Sequence, residues 1–161
     1  MSGRPAPAPD ESAFVGHVAR VTRATGGATA DLAARCLVAP ADVWYLPRYP
    51  GLTRIVAPRG LAGSLAGFLA EHRRLLMGGG LLLGTWINPE TGSCYLDLIT
   101  QAATRRAGVA LARRYSREGG RRIIAICNPL RGTTERVWRR AVSPRLWSGA
   151  PAQPIGHDDA G

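Results

Sequence analysis

Arginine is the residue type in this sequence whose number and chemistry are most informative. All 21 basic residues are arginines, and the chain contains no lysine. A guanidinium group donates paired hydrogen bonds to a phosphate or carboxylate group, so arginine is well suited to binding polyanions. The absence of lysine excludes a Schiff-base lysine, a lysine nucleophile and a phosphate-loop lysine. Composition therefore favours anion binding over these forms of catalysis.

The excess positive charge is confined to one segment. Residues 101–145 hold 12 arginines and two acids, whereas the rest of the chain holds nine of each. A GC-rich coding sequence would explain arginine in place of lysine, but it would not explain this imbalance. The segment predicts a face that binds nucleic acid or an acidic protein with salt-sensitive affinity. The candidate nucleic-acid-binding residues are Arg105, Arg106, Arg113, Arg114, Arg117, Arg121, Arg122, Arg136, Arg139, Arg140 and Trp138.

The pattern indicates non-specific binding, because no helix-turn-helix, zinc-finger or ribonucleoprotein motif is present. Tryptophan among the arginines adds a ring on which bases can stack. The cysteines, Cys36, Cys94 and Cys127, form no Cys-x-x-Cys pair, and no histidines have a metal-binding spacing. We therefore expect neither a metal nor a cofactor.

Asp97 is the one carboxylate whose position asks for an explanation. It lies in the middle of a predicted strand among apolar residues. A carboxylate there must be exposed at a sheet edge, paired or functional. The arginines of the following helix offer partners, so a structural pair is the favoured interpretation. A catalytic site at Asp97 is the enzymatic alternative.

Hydrophobic periodicity and turn residues predict the elements that position these groups. Residues 1–11 and 148–161 are expected to be a disordered leader and tail, which leaves one domain over 12–147. Helices are predicted over 12–23 (capped by Ser12), 29–36, 60–77, 104–118 and 135–141. Extended segments are predicted over 43–46, 52–57, 81–87, 94–99 and 121–127. In helix 104–118 we expect Ala107, Ala110, Leu111 and Tyr115 to face inward and the arginines outward.

Residues 84–98, GTWINPETGSCYLDL, give a strong hairpin signal. Asn88 and Pro89 favour the start of a turn, and Gly92 supplies a positive φ. Trp86 and Tyr95 are then expected to lie near each other across the two strands. Apolar residues on both faces predict a hairpin that is covered on both sides. We interpret this motif as a structural centre.

The hairpin resembles a Gly-x-Trp-x-(Asn/Asp)-Pro-Glu-x-Gly-x-x-Tyr-Leu-Asp pattern found in small domains of actinobacterial phages and mobile elements. In those domains the hairpin is followed by a helix and then by a strand rich in Ile and Ala. The similarity covers residues 78–129. It implies a phage or mobile-element context and no particular activity.

Together these patterns predict an α+β protein, with a small sheet built around the hairpin at 81–99 and a β-β-α-β C-terminal half. The predicted function is non-catalytic binding of nucleic acid or another polyanion by an accessory protein. A factor that binds an acidic protein partner is the alternative. We find no signal peptide and no segment able to span a bilayer, so a cytoplasmic location is expected. The sequence does not indicate an oligomeric state.

Overall fold

The computed structural model describes residues 10–139. Within that range the fold is α+β, with three α-helices and one antiparallel sheet of eight strands. Most of the predicted leader, the predicted tail and Arg140 lie outside the described residues. None of the helices in the described part of the chain has the length and apolar character needed to cross a membrane.

The helices and strands alternate irregularly along the chain. The α-helices are α1 (Glu11–Thr25), α2 (Leu61–Met77) and α3 (Arg105–Glu118), and a short 3-10 helix spans Pro50–Leu52. The strands are β1 (Gly27–Asp31), β2 (Cys36–Leu37), β3 (Trp44–Pro47), β4 (Arg54–Val56), β5 (Leu82–Ile87), β6 (Cys94–Ala102), β7 (Ala125–Asn128) and β8 (Thr133–Arg136).

The sheet is organised around β6, its longest strand. The strand order is β2-β1-β5-β6-β3-β7-β8, and β4 also pairs with β6. One edge of β6 pairs with β5 along six residues, whereas two short strands share the other edge. There β3 pairs with Ile99–Ala102 and β4 pairs with Cys94–Leu96. Asp97 therefore lies on β6 where neither short strand is in register with it.

All three α-helices pack on one face of the sheet. Leu96 and Leu98 of β6 join the apolar core formed with α1 and α2. Trp44 and Ala102, which are cross-strand partners, join the second core cluster under α3. Leu96, Leu98 and Ala102 are spaced by even numbers along one strand, so both clusters lie on the same side. Helices thus cover only one face of the hairpin. The prediction that both faces are covered is wrong in this respect.

Two segments predicted as helices, 29–36 and 135–141, are not helical where the structure describes them. Residues 29–36 form most of β1 and a turn into β2, because β1 pairs with the hairpin strand β5. The Asp31 carboxylate accepts the Ala34 amide, which closes that turn. Residues 133–136 form β8, which returns along β7 after a turn at Gly132, where φ is 61°. Sheet pairing overrides weak local helix preference in both segments.

Smaller differences concern element boundaries. The first helix begins at Glu11, one residue before the predicted Ser12 cap, and Asp10 is its N-cap residue. The strand predicted over 121–127 begins only at Ala125, so residues 121–124 are irregular. The return strand of the hairpin continues beyond Ile99 to Ala102, where it meets β3.

Candidate polyanion-binding groove

Helix α3 presents its arginines to solvent because its buried face is narrow. The buried residues are Gly108, Ala112, Tyr115 and Ser116. A Cβ atom at Gly108 would lie 3.0 Å from Cδ1 of Ile126, so glycine allows the helix to approach the sheet closely. The Thr104 hydroxyl caps the helix by accepting the Ala107 amide at 3.2 Å. Ala107 and Ala110 are exposed, which corrects their predicted inward orientation.

A groove of about 730 Å³ lies between α3 and residues 135–139. Its apolar lining comes from Val109 and Ala110 on the helix and from Val137 after β8. The remaining lining residues are Arg105, Arg106, Arg113, Arg136, Arg139, Trp138 and Glu135. The structure thus brings six of the eleven predicted binding residues together, with one acid among the described lining residues.

Only part of this positive charge is neutralised nearby. Arg105 donates to the Glu135 carboxylate at 3.1 Å, and Arg136 pairs with Glu90 of the hairpin turn. Arg106 and Arg139 form no ion pair within residues 10–139.

The position of the first two arginines on α3 strengthens the positive electrostatic field of the groove. The first turn of α3 contains no acid, although the positive end of a helix dipole favours acidic side chains there. Arg105 and Arg106 occupy this end instead. The arrangement stabilises the helix poorly but attracts anions, because the helix dipole and two guanidinium groups have the same sign.

Trp138 lines the groove, and its ring is already in contact with other groups. Its indole N–H donates to the Ile123 carbonyl at 2.9 Å. The Cζ atoms of Arg113 and Arg122 lie 5.8 and 5.0 Å from its ring centroids, within the range of cation–π attraction. Arg113 also donates to the Val137 carbonyl at 3.1 Å. A base could stack on Trp138 only where a guanidinium group gives way, so its main effect is to position arginines.

The other predicted binding residues lie outside the groove. Arg114 pairs with Glu118 at 3.4 Å, and Arg117 is exposed on α3. Arg122 lies over Trp138 but lines a different cavity, on the helix-free face of the sheet. Arg121 lines that cavity too and donates to the Thr53 carbonyl. Arg140 is beyond the described residues.

The hairpin has the predicted geometry. Trp86 and Tyr95 are cross-strand partners whose ring centroids are 5.5 Å apart. The Asn88 side chain accepts the Glu90 amide at 2.9 Å, and Gly92 has a φ of 72°. Pro89 occupies the corner of this turn. The motif therefore forms a two-stranded unit with a closed turn, as its turn residues and aromatic pair predict.

The surroundings of Asp97 differ from the predicted pairing with the following helix. Its Oδ1 atom accepts the Thr53 hydroxyl, and it forms no ion pair with any described residue. Burial raises the pKa of Asp97 to about 6, while the Thr53 hydrogen bond and the Arg121 charge lower it in part. Thr53 lies 44 positions earlier, and only the pairing of β4 with β6 brings it here. No pattern in the sequence points to Thr53 as a partner of Asp97.

Cys94 on β6 and Cys127 on β7 are buried and partly buried, respectively. Burial raises the pKa of Cys127 to about 11, and the nearby Asp97 charge contributes to the rise. Burial likewise raises the pKa of Cys94. Both thiols therefore stay protonated near neutral pH, and a protonated thiol is a poor nucleophile and metal ligand.

Comparison with known proteins gives no relative for this chain: no family model, curated protein or solved structure matches it.

Proposed function

We propose that this chain is an accessory protein, of the phage or mobile-element type that its hairpin resembles, which binds nucleic acid or another polyanion without catalysis. The observation that supports the proposal is the groove beside α3, where five arginines and one glutamate surround an apolar strip. Phosphate contacts of this kind give affinity without reading sequence, since they reach only the nucleic-acid backbone.

The mode of binding follows from the exposure of these arginines. Arg105, Arg106 and Arg139 are exposed, so they meet phosphates without a large desolvation cost. Arg113 is held by Trp138 and by the Val137 carbonyl, which reduces the conformational entropy lost on binding. Exposed arginines supply long-range attraction, and the anchored one supplies a fixed point of contact.

A salt series tests the proposal. The nuclease-treated protein is titrated with fluorescent single- and double-stranded DNA and RNA from about 50 to 200 mM salt. The test variant changes Arg105, Arg106 and Arg139 to Gln. The matched control changes three exposed arginines elsewhere, Arg23, Arg59 and Arg74, to Gln, so both variants lose the same formal charge.

We expect the logarithm of the binding constant to fall linearly with the logarithm of salt. The groove variant should lose about 0.9 in that slope for each phosphate contact removed, and the control variant should keep the slope of the original protein. Equal slopes in the two variants would reject the groove as the binding face. Absence of nucleic-acid binding at ~50 mM salt, together with binding of an acidic polypeptide, would assign the groove to an acidic protein partner.

A further inference from the structure

A cavity lies on the helix-free face of the sheet, where β3 and β4 leave a gap along β6. Its volume is about 90 Å³, which is room for about three waters at roughly 30 Å³ each. The buried side chains of Tyr45 and Ile99 form part of its wall. Gly84, the cross-strand partner of Asp97, adds no side chain to the space.

One carboxylate oxygen has access to this space. Oδ1 of Asp97 accepts the Thr53 hydroxyl. No second hydrogen bond to this carboxylate exists within residues 10–139, and no buried polar side-chain atom in that range lacks a partner. Oδ2, which has no partner, is therefore not fully buried, and Asp97 lines the cavity. A carboxylate in such an apolar setting is costly unless it accepts a hydrogen bond, so an N–H donor would stabilise it there.

Arg121 brings a hydrogen-bond donor to the same cavity. One of its terminal nitrogens donates to the Thr53 carbonyl at 2.9 Å, and the residue lines the same cavity as Asp97. A guanidinium group has five N–H donors, so others remain for a ligand. Thr53 thus fixes both groups, Asp97 through its hydroxyl and Arg121 through its carbonyl.

An aromatic pair stands next to the two polar groups. Trp86 and Tyr95 follow the Gly84–Asp97 pair on the same face of the hairpin, and both rings are partly exposed. Both residues line the cavity. Aromatic walls with a few convergent polar groups are typical of sites for small flat ligands.

We infer that this cavity binds the edge of a small heterocyclic ring that presents an N–H group beside a carbonyl group, as the lactam edge of uracil or hypoxanthine does. Asp97 accepts the N–H group, Arg121 donates to the carbonyl oxygen, and Trp86 and Tyr95 contact the ring. The enclosed volume admits this edge, and the remainder of the ligand lies at the open side. The inference is independent of polyanion binding in the groove, because it uses none of the groove arginines.

An NMR titration of the full chain tests the inference. Uridine and inosine are added up to about 5 mM, alongside 3-methyluridine and 1-methylinosine, in which a methyl group replaces the ring N–H. The variants are Asp97→Asn and Arg121→Gln, with Arg117→Gln as a matched arginine control outside the cavity. In Asp97→Asn we expect the amide oxygen to accept the Thr53 hydroxyl, which leaves the NH₂ group as a donor that opposes the ligand N–H. The spectrum of each variant also reports whether it is folded.

We expect the resonances of Trp86, Tyr95 and Arg121 to shift with uridine or inosine. The original protein should bind the methylated nucleosides at least tenfold more weakly than uridine and inosine. Asp97→Asn and Arg121→Gln should bind uridine and inosine at least tenfold more weakly than the original protein does. Arg117→Gln should keep the original affinity. Absence of shifts with both unmodified nucleosides, or equal binding of methylated and unmodified forms, would overturn the inference. This comparison needs only the original protein, so it holds even where a variant fails to fold.

A second arm distinguishes a free ring from a base within a strand. A uridine octanucleotide is titrated in parallel at about 200 mM salt, where phosphate contacts are weakened. If Asp97→Asn weakens octanucleotide binding as much as it weakens uridine binding, a nucleic-acid strand is a source of the ring. Nucleoside binding without octanucleotide binding at the cavity would identify a free small molecule. If Asp97→Asn weakens the binding of neither the nucleoside nor the octanucleotide, the inference is overturned.

Discussion

The groove beside α3 and the cavity behind the hairpin use charged side chains in opposite ways. The groove collects five arginines that are mostly exposed, and its attraction comes from their number. The cavity holds Asp97 and Arg121 between apolar walls, and its selectivity comes from their placement. Salt screens the first arrangement strongly and the second weakly, since buried charges are less accessible to counterions. We therefore propose different ligands for the two regions, a long polyanion for the groove and a small ring for the cavity.

The largest expected effect concerns the residue that connects the two regions. Trp138 holds Arg113 at the groove and Arg122 at the rim of the cavity. Trp138→Ala removes a partly buried ring and its hydrogen bond to Ile123, so we expect the free energy of unfolding to fall by about 3 kcal/mol. Urea denaturation measures this loss. Trp138→Phe keeps a ring and should lose about 1 kcal/mol; equal losses in the two variants would show that packing of the ring contributes little.

The next effect tests whether Asp97 belongs to a buried, polar site. Because its pKa is about 6 in the folded chain and near 4 when unfolded, the folded state holds the proton more tightly. Stability from this group is therefore fully present below pH 4 and is lost as the pH rises through 6, by about 2–3 kcal/mol. Asp97→Asn removes this loss, so the variant should be the more stable protein at pH 7.

Urea denaturation of both proteins from pH 4 to 7 checks the sign. The pKa values of Glu11 and Asp42 are lowered by ion pairs with arginines and shift stability in the opposite direction. These groups are common to both proteins, so the difference between the two curves isolates Asp97. A constant difference across this range would mean that Asp97 titrates normally in the folded state and is not buried.

A third prediction concerns the space in front of Asp97. A Cβ atom at Gly84 would lie 2.6 Å from Cγ2 of Ile99, so Gly84→Ala forces one of the cavity walls to move. We expect a loss of about 1–2 kcal/mol in the free energy of unfolding and weaker nucleoside binding. Gly63→Ala is the matched control, because Gly63 is exposed within α2 and its Cβ would meet nothing within 4 Å. That control should gain about 0.5–1 kcal/mol. Equal effects would show that the wall is not tightly packed.

The sequence was informative where local rules decide the structure. The hairpin turn, the aromatic pair and helices α2 and α3 follow from residue types within a few positions of one another. The segment 29–36 was predicted wrongly because its strand is specified by pairing with β5, more than 50 residues away. The helix predicted over 135–141 is wrong within its described part, residues 135–139, because Glu135 and Arg136 pair with β7.

The two candidate sites also differ in how far they depend on local sequence. The arginines of the groove are visible as an excess of charge in one segment, and α3 alone carries three of the five. The cavity joins Thr53, Asp97 and Arg121, which come from three separate parts of the chain. Only the gap between β3 and β4 along β6 explains why they meet. Sequence identified Asp97 as unusual, but its partners depend on non-local pairing.

The smallest expected effect separates charge number from charge placement. Glu135 lines the groove and pairs with Arg105. Glu135→Gln keeps the shape, removes one negative charge and releases Arg105, so we expect polyanion affinity at ~50 mM salt to rise about twofold, equivalent to ~0.4 kcal/mol. Glu118→Gln removes the same charge from the end of α3, outside the groove, and should raise affinity less.

Fluorescence titration with DNA compares the two variants. Because the cavity contains neither acid, uridine binding should be unchanged in both. An equal rise for the two variants would mean that net charge alone governs binding, and the groove would then have no special role.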